Sequence, residues 1–216
     1  MSGVFVADTG GDADAPGRFR LAPPSPGQAL GLVLALLFLA GAVGYMVGGD
    51  RPPRESAPEV GFLRDMTTHH DQAVEMANIA LDRATEALVR TFAREVLLTQ
   101  RYELGLMSAW LGEWGYGFDS ERSEAMAWMG VPTPVEEMPG MASAVQMDAL
   151  RRAQGRQLDA LFLAMMSEHH RGGADMATAA VKVVNDADVR ALAEAVARNQ
   201  RIEINEYQAA RQRLGL

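Results

Sequence analysis

Two stretches decide the fold: Phe62-Leu63-Arg64-Asp65-Met66-Thr67-Thr68-His69-His70 and Phe162-Leu163-Ala164-Met165-Met166-Ser167-Glu168-His169-His170. They hold all four histidines of the chain, lie 100 residues apart, and are each followed by a Met-Ala pair in the same register, Met76-Ala77 and Met176-Ala177. The register continues without insertion: Val89-Arg90 answers Val189-Arg190, Ala93 answers Ala193, Val96 answers Val196, and Gln100-Arg101 with Glu103 answers Gln200-Arg201 with Glu203. Each copy covers about 45 to 50 residues, the length of two helices, as expected when one supersecondary unit is duplicated and stacked. Two helical hairpins, hence four helices, are predicted.

Working outward, the first copy predicts helices over residues 59–81 and 86–112, with Thr85 capping the second. The second copy predicts helices over residues 158–184 and 188–213, with Asp186 as the cap. Between them Gly115-Tyr116-Gly117 breaks the pattern, a short helix is expected over residues 121–129, and Pro132, Pro134 and Pro139 enforce an irregular crossover. Ser143 with Gln146 forms a capping box for a further helix start. No Val, Ile or Thr run alternates with period two, so the domain is all-α. A short turn inside each hairpin and one long connection between them is the connectivity of a ferritin-like four-helix bundle. The bundle is assigned residues 59–214, divided into repeat one (59–113), crossover (114–156) and repeat two (157–214).

The first fifty residues differ in character. Residues 1–28, rich in Gly, Asp and Pro, lack periodicity and read as a disordered leader. From Gln28 to Gly49 there is no charged residue, and the apolar run is long enough to cross a hydrocarbon core, so residues 29–48 read as a transmembrane helix or signal anchor. Ala40-Gly41-Ala42 resembles a signal-peptidase site, but the apolar run continues past it and a polar leader precedes it, which favours an uncleaved anchor through residues 29–47. Residues 49–58 form a linker in which Pro52, Pro53 and Pro58 stop helix propagation. Arg18 and Arg20 precede the span and Arg51 and Arg54 follow it, so charge sets no orientation.

The chain carries a net charge of −8, with 20 basic and 28 acidic residues, of which two and four respectively precede residue 51. The bundle is therefore acidic, and a nucleic-acid partner, which needs a positive footprint, is not expected. No cysteine is present, which excludes thiolate metal sites, disulfides and cysteine nucleophiles. Thirteen methionines in 216 residues make the chain methionine-rich.

Stepping 100° per residue along the first helix puts Met66, His69, His70, Ala73, Met76 and Ala77 on one face. Met166, His169, His170, Gly173, Met176 and Ala177 repeat the arrangement, and two such faces would meet across the bundle axis. Thioether sulfur is a soft ligand suited to Cu(I), imidazole serves both copper oxidation states and zinc, and a carboxylate-poor mixture disfavours magnesium, calcium and manganese. The candidate metal ligands are His69, His70, Met66, Met76, His169, His170, Met166 and Met176, with a copper ion as the expected metal. On the second helix of each copy Gln100, Glu103, Gln200 and Glu203 face inward. Because a metal-ligating histidine usually gives its free ring N–H to a carboxylate or carbonyl, these are candidate supports of the His pairs. Arg101 or Arg201, or the metal itself, is the alternative partner for the glutamates.

Packing readings stand beside these. Methionine at helical spacing is also core filler, and Met165 reads as core alone. Met126, Met129, Met138, Met141 and Met147 in the crossover are either accessory metal ligands or packing for the loop, and Trp110, Trp114 and Trp128 read as its anchors. Gly172-Gly173 inside a predicted helix costs about 1 kcal/mol per residue relative to Ala, so either a backbone approaches closely there or the helix bends.

Phe-Leu-x-x-Met-x-x-His-His with the following Met-Ala, then Gln-x-x-Glu on the next helix and Met138-Pro139-Gly140-Met141 before the second copy, resembles the bacterial family called domain of unknown function 305. The resemblance covers about residues 59 to 212. It implies a ferritin-like four-helix domain, commonly exported or membrane-tethered, with some members linked to extracytoplasmic copper binding. Two departures stand out: Asp71-Gln72 follows the first His pair where a glycine is usual, and Arg171 beside the second pair could weaken cation affinity.

The expected function is a non-enzymatic copper-binding protein, single-pass in the cell membrane with its bundle outside, that sequesters or transfers copper; assembly into a homo-oligomer is left open. A ferritin-like di-iron oxidoreductase is the alternative from another class, although the Glu-x-x-His that such centres use occurs nowhere in the chain. A metal-free structural or partner-binding envelope module is the third.

Overall fold

The structure, a computed structural model, describes residues 25–48, 51–117 and 122–216. The chain falls into two units, Met1–Arg51 and Pro52–Leu216. In the first, helix α1 (Pro26–Gly48) starts where Ser25 and Gln28 bond reciprocally: the Ser25 amide donates to Gln28 Oε1 at 2.9 Å and the Gln28 amide to Ser25 Oγ at 3.4 Å. This is a capping box with proline at the first helical position. It begins α1 before residue 29, so the end of the expected leader is helical, while the leader through residue 24 lies outside the described residues. The helix is long and apolar enough to cross a membrane, and Leu30 through Val43 expose their apolar side chains.

The second unit is built from α2 (Pro58–Arg83), α3 (Ala87–Glu113), a short α4 (Ala144–Arg152), α5 (Gly155–Val183) and α6 (Ala187–Leu214). Apolar side chains at helical spacing give each long helix one buried stripe, for example Val60, Leu63, Met66, Ala73, Ala77 and Ala80 on α2. α2 packs on α3, α5 on α6, and the hairpins meet mainly through α2 against α5, the two histidine-bearing helices. These run in opposite senses, because Met66 shares a core cluster with Met176 and Met76 shares the other with Met166. Along each helix the His pair falls between the residues of the two clusters, so the four histidines form a polar layer sandwiched by two apolar ones.

The turns inside the hairpins are capped from across the interface. Asp159, on α5 and fully buried, accepts from the Thr85 amide at 3.0 Å, the Glu86 amide at 3.2 Å and the Thr85 hydroxyl. Glu59, its equivalent 100 residues earlier, accepts from the amides of Asn185 and, at 3.3 Å, Asp186. Thr85 is therefore not the expected cap: α3 starts after Glu86, and the Thr85 hydroxyl is a donor to a carboxylate, a stronger acceptor than any neutral group nearby. Asp186 does cap α6, accepting from the amides of Asp188 and Val189 at 3.0 Å. Arg90 and Arg190 complete the turns by donating to the carbonyls of Ala84 and Val184. Removing one of these carboxylates strands several donors, so Asp159→Ala should cost about 1–3 kcal/mol in urea unfolding; an unchanged midpoint would count against the cross-capping.

In the crossover the helix expected over residues 121–129 is replaced by two-residue strands, β1 (Glu124–Ala125) antiparallel to β2 (Thr133–Pro134), and by 3-10 turns at Ala127–Met129 and Val135–Glu137. Met126 adopts φ 61°, a left-handed backbone that no helix accommodates, and its amide donates to Asp65 Oδ2 at 2.7 Å. α4 follows the expected Ser143–Gln146 capping box.

Candidate metal centre

All four imidazoles are fully buried. His69 and His169 stack across the α2–α5 contact with ring centroids 3.7 Å apart and planes at 35°. His70 Nε2 lies 2.7 Å from Glu103 Oε2, and His170 Nε2 lies 2.8 Å from Glu203 Oε2, with the Tyr207 hydroxyl 3.4 Å from the same nitrogen. His69 Nε2 meets the Pro139 carbonyl at 3.2 Å. Each of these acceptors calls for an N–H at Nε2, and in a neutral ring the lone pair is then on Nδ1.

No Nδ1 of the four rings has a partner in hydrogen-bond geometry, nor does His169 Nε2, Gln100 Oε1 or either amide atom of Gln200. Buried polar atoms are nearly always bonded. Here the unbonded ones concentrate in one layer whose donor chemistry is imidazole nitrogen and amide oxygen, with thioethers above and below.

Electrostatics keep the central rings neutral. Burial pushes His69 down to about 3, the neighbouring His70 adds to this, and the Pro139 carbonyl opposes it. Burial likewise drives His169 well below the ordinary imidazole range, helped by His69, His170 and His70 and opposed by the His69 backbone carbonyl. A neutral imidazole is the form that binds metal. Beside this layer Tyr207 is pushed up by burial and by the Glu203, Glu95 and Glu206 charges, so its hydroxyl keeps its proton.

The structure sorts the candidate methionines by layer. Met66 and Met176 lie together on one side of the histidines and Met76 and Met166 on the other, all essentially inaccessible; the four do not gather at one point. Met126 and Met138 are buried with the first pair and Met147 with the second, while Met129 and Met141 are half-buried on the rim. Met165 belongs to the core. Trp110, Trp114 and Trp128 pack half-buried on the Met66 side, Trp128 edge-on to Phe62 with centroids 5.8 Å apart. Among the described residues no three His, Asp or Glu side chains converge as a metal cluster.

Glu103 and Glu203 bond the histidines and not the adjacent arginines; Arg201 instead donates to Thr178 Oγ1 at 2.7 Å. Gly172-Gly173 marks close backbone approach: a Cβ at Gly172 would stand 1.9 Å from the Pro139 oxygen, and one at Gly173 would stand 2.4 Å from Gln200 Oε1 and 2.9 Å from His69 Cε1. Arg171 pairs with Glu168 at the surface. Two contributors escaped the sequence reading: Tyr207 and the Pro139 carbonyl. Tyr207 lies one turn after Glu203 and was visible on the wheel, whereas a backbone carbonyl leaves no sequence signal.

A model of the family described as domain of unknown function (DUF305) matches residues 59–211. The chain belongs to this family. Among solved structures it is similar to a DUF305 protein from Streptomyces coelicolor, provisionally described as secreted, at 35% identity and TM-score 0.69, over 74% of this chain and 96% of that one. It is similar to a DUF305 fragment from Deinococcus radiodurans at 29% identity and TM-score 0.63, over 72% and 96% of the two chains. It is also similar to CopM in a Cu(I)-bound form, at 26% identity and TM-score 0.53, over 71% and 94%. No curated protein matches the chain.

Proposed function

We propose that this DUF305 chain is a membrane-tethered, extracytoplasmic copper-binding protein that sequesters Cu(I) or passes it on, with copper as its cargo and no catalytic step. The observation that carries the reading is the layer of fully buried imidazoles, its central His69–His169 pair neutral, whose Nδ1 atoms have no hydrogen-bond partner. Such atoms cost free energy in an apolar interior unless something accepts their lone pairs. A soft cation does so without bringing in water, and the flanking thioethers of Met66, Met76, Met166 and Met176 are donors of matching softness. Glu103 and Glu203 hold His70 and His170 by the Nε2–H, the arrangement that orients ligating histidines and raises their basicity. That a protein of the same fold, CopM, is solved with Cu(I) supports the choice of ion.

α1 supports the tether. Its 23 residues give a helix of about 35 Å, enough for a hydrocarbon core of about 30 Å. An outward-facing bundle fits a cysteine-free copper site and the secreted description of the Streptomyces coelicolor relative.

The test uses the metal-free full chain in detergent, melted with Cu(I), Cu(II), Zn(II) or Fe(II). A ligand that binds only the native state at a thousand times its Kd stabilises by about 4 kcal/mol, so Cu(I) is expected to raise Tm by several degrees and more than the other ions. No shift with Cu(I) would refute the assignment and leave an anchored bundle. A dominant Fe(II) shift with oxygen consumption would point to a di-iron oxidoreductase.

A further inference from the structure

The two His pairs sit in unlike surroundings, and the crossover makes the difference. Two hairpins have a single connection between them, so a connection that passes over the histidine layer covers it from one side only. It does so as a strap, residues 138–142, pressed so close to α5 that a Cβ at Gly140 would stand 2.6 Å from the His169 carbonyl oxygen. The strap's Pro139 carbonyl accepts from His69 Nε2. His169, the equivalent ring, meets no strap carbonyl, and the His69 backbone carbonyl beside it lies outside hydrogen-bond geometry for either ring nitrogen.

The strap is latched by one side chain. Gln72 Nε2 donates to the Ala142 carbonyl at 2.8 Å, and Gln72 Oε1 accepts from the Ala142 amide at 2.6 Å. This two-way bond pins the backbone three residues from the Pro139 carbonyl. The equivalent position in the second copy is Gly172, which carries no side chain and instead makes room for the strap.

We propose that Gln72 is a positioning residue of the metal centre: by latching the strap it keeps the Pro139 carbonyl on His69 Nε2 and so presents the His69 Nδ1 lone pair to the layer, while no hydrogen bond sets the tautomer of His169. The inference rests on the copper reading of the same layer. Three rings then arrive with their N–H held, His70 and His170 by glutamates and His69 by the strap. The fourth, His169, has no hydrogen-bond partner to hold its N–H. A carbonyl on a loop orients a ring only as well as the loop is held, which is what the Gln72 amide provides.

The test is made on the full chain. In the metal-free protein, nitrogen-15 correlation spectra of the histidine side chains report which ring nitrogen carries the proton. Wild type is expected to show His69 protonated at Nε2; Gln72→Ala, which opens the latch, and Gly172→Ala, which wedges the strap away, should both lose that preference at His69 while His70 and His170 keep theirs. Cu(I) affinity, read by chelator competition, should fall about 10–100-fold in both, the usual loss when a ligand's orienting partner is removed. Gln72→Glu, which keeps the acceptor and loses the donor, should fall between, and it keeps the test open should Gly172→Ala fail to fold. An unchanged His69 tautomer or affinity in Gln72→Ala would overturn the proposal, as would an equal disturbance of all four rings. Wild type that takes up no Cu(I), yet shows the Gln72-dependent tautomer, would overturn the copper reading and leave Gln72's control of the ring standing.

Discussion

Between pH 7 and pH 5 the metal-free bundle is expected to lose about 2 kcal/mol of stability from His69 alone, with His169 adding a loss in the same direction. His69 is depressed to about 3 and His169 well below its usual range, both chiefly by burial. Unfolded, each titrates near 6.5, so below that pH the unfolded chain binds protons that the folded chain refuses. The His69 contribution is therefore fully present above about pH 6.5 and is lost as pH drops toward 3, by about 1.4 kcal/mol per pH unit once below 6.5, and His169 acts in the same sense. Thermal melts of the metal-free protein at pH 7, 6 and 5 would read this as a steep decline in Tm. A His69→Gln, His169→Gln double variant has nothing to titrate at these positions and should decline less. A flat wild-type profile would mean that the rings are charged or hydrated in the folded protein, and the neutral central pair on which the proposed metal binding rests would not exist.

Asp65→Ala should be the most damaging single substitution away from the histidines. The Asp65 carboxylate is 1% exposed and gathers the crossover onto α2: the Met126 amide and Trp128 Nε1 each donate to Oδ2 at 2.7 Å, and the Arg122 guanidinium sits 2.6 Å from Oδ1. Removing it leaves two donors and a half-buried cation unpaired, a loss of about 3–5 kcal/mol, or roughly 6–20 °C in Tm for a domain of this size. Faster proteolysis within residues 114–142 should accompany it, because Met126 loses the bond that holds its left-handed backbone. A wild-type Tm in this variant would show that the crossover is held by its apolar side chains alone.

Asp65 also shows where the sequence stops being informative. Its equivalent in the second copy is Met165, so the register that revealed the histidines gives no hint of a loop anchor. The long helices were legible because their apolar stripes and doubled motif agree, and the proximity of Glu103 to His70 followed from one wheel laid against another. Local chemistry sufficed for the Ser143–Gln146 box, which lies within a single turn. The crossover was illegible for the opposite reason: its first 3-10 turn and the left-handed Met126 before it answer to Asp65, 61 positions from Met126 in sequence. Glu59 and Asp159 fall between these cases. Their 100-residue spacing was in view, but that each serves the turn of the other hairpin depends on α2 and α5 crossing in opposite senses.

That crossing has a consequence for the chain as a whole. Glu59 leaves the first half to finish the second, and Asp159 leaves the second to finish the first, so neither half owns all the groups its own bend requires. Severed at residue 118, the two pieces should be poor folders separately and partners when mixed, each supplying the carboxylate the other lacks. The joint between them has the form of a two-fold dimer interface, and the linking segment keeps that dimer from ever dissociating.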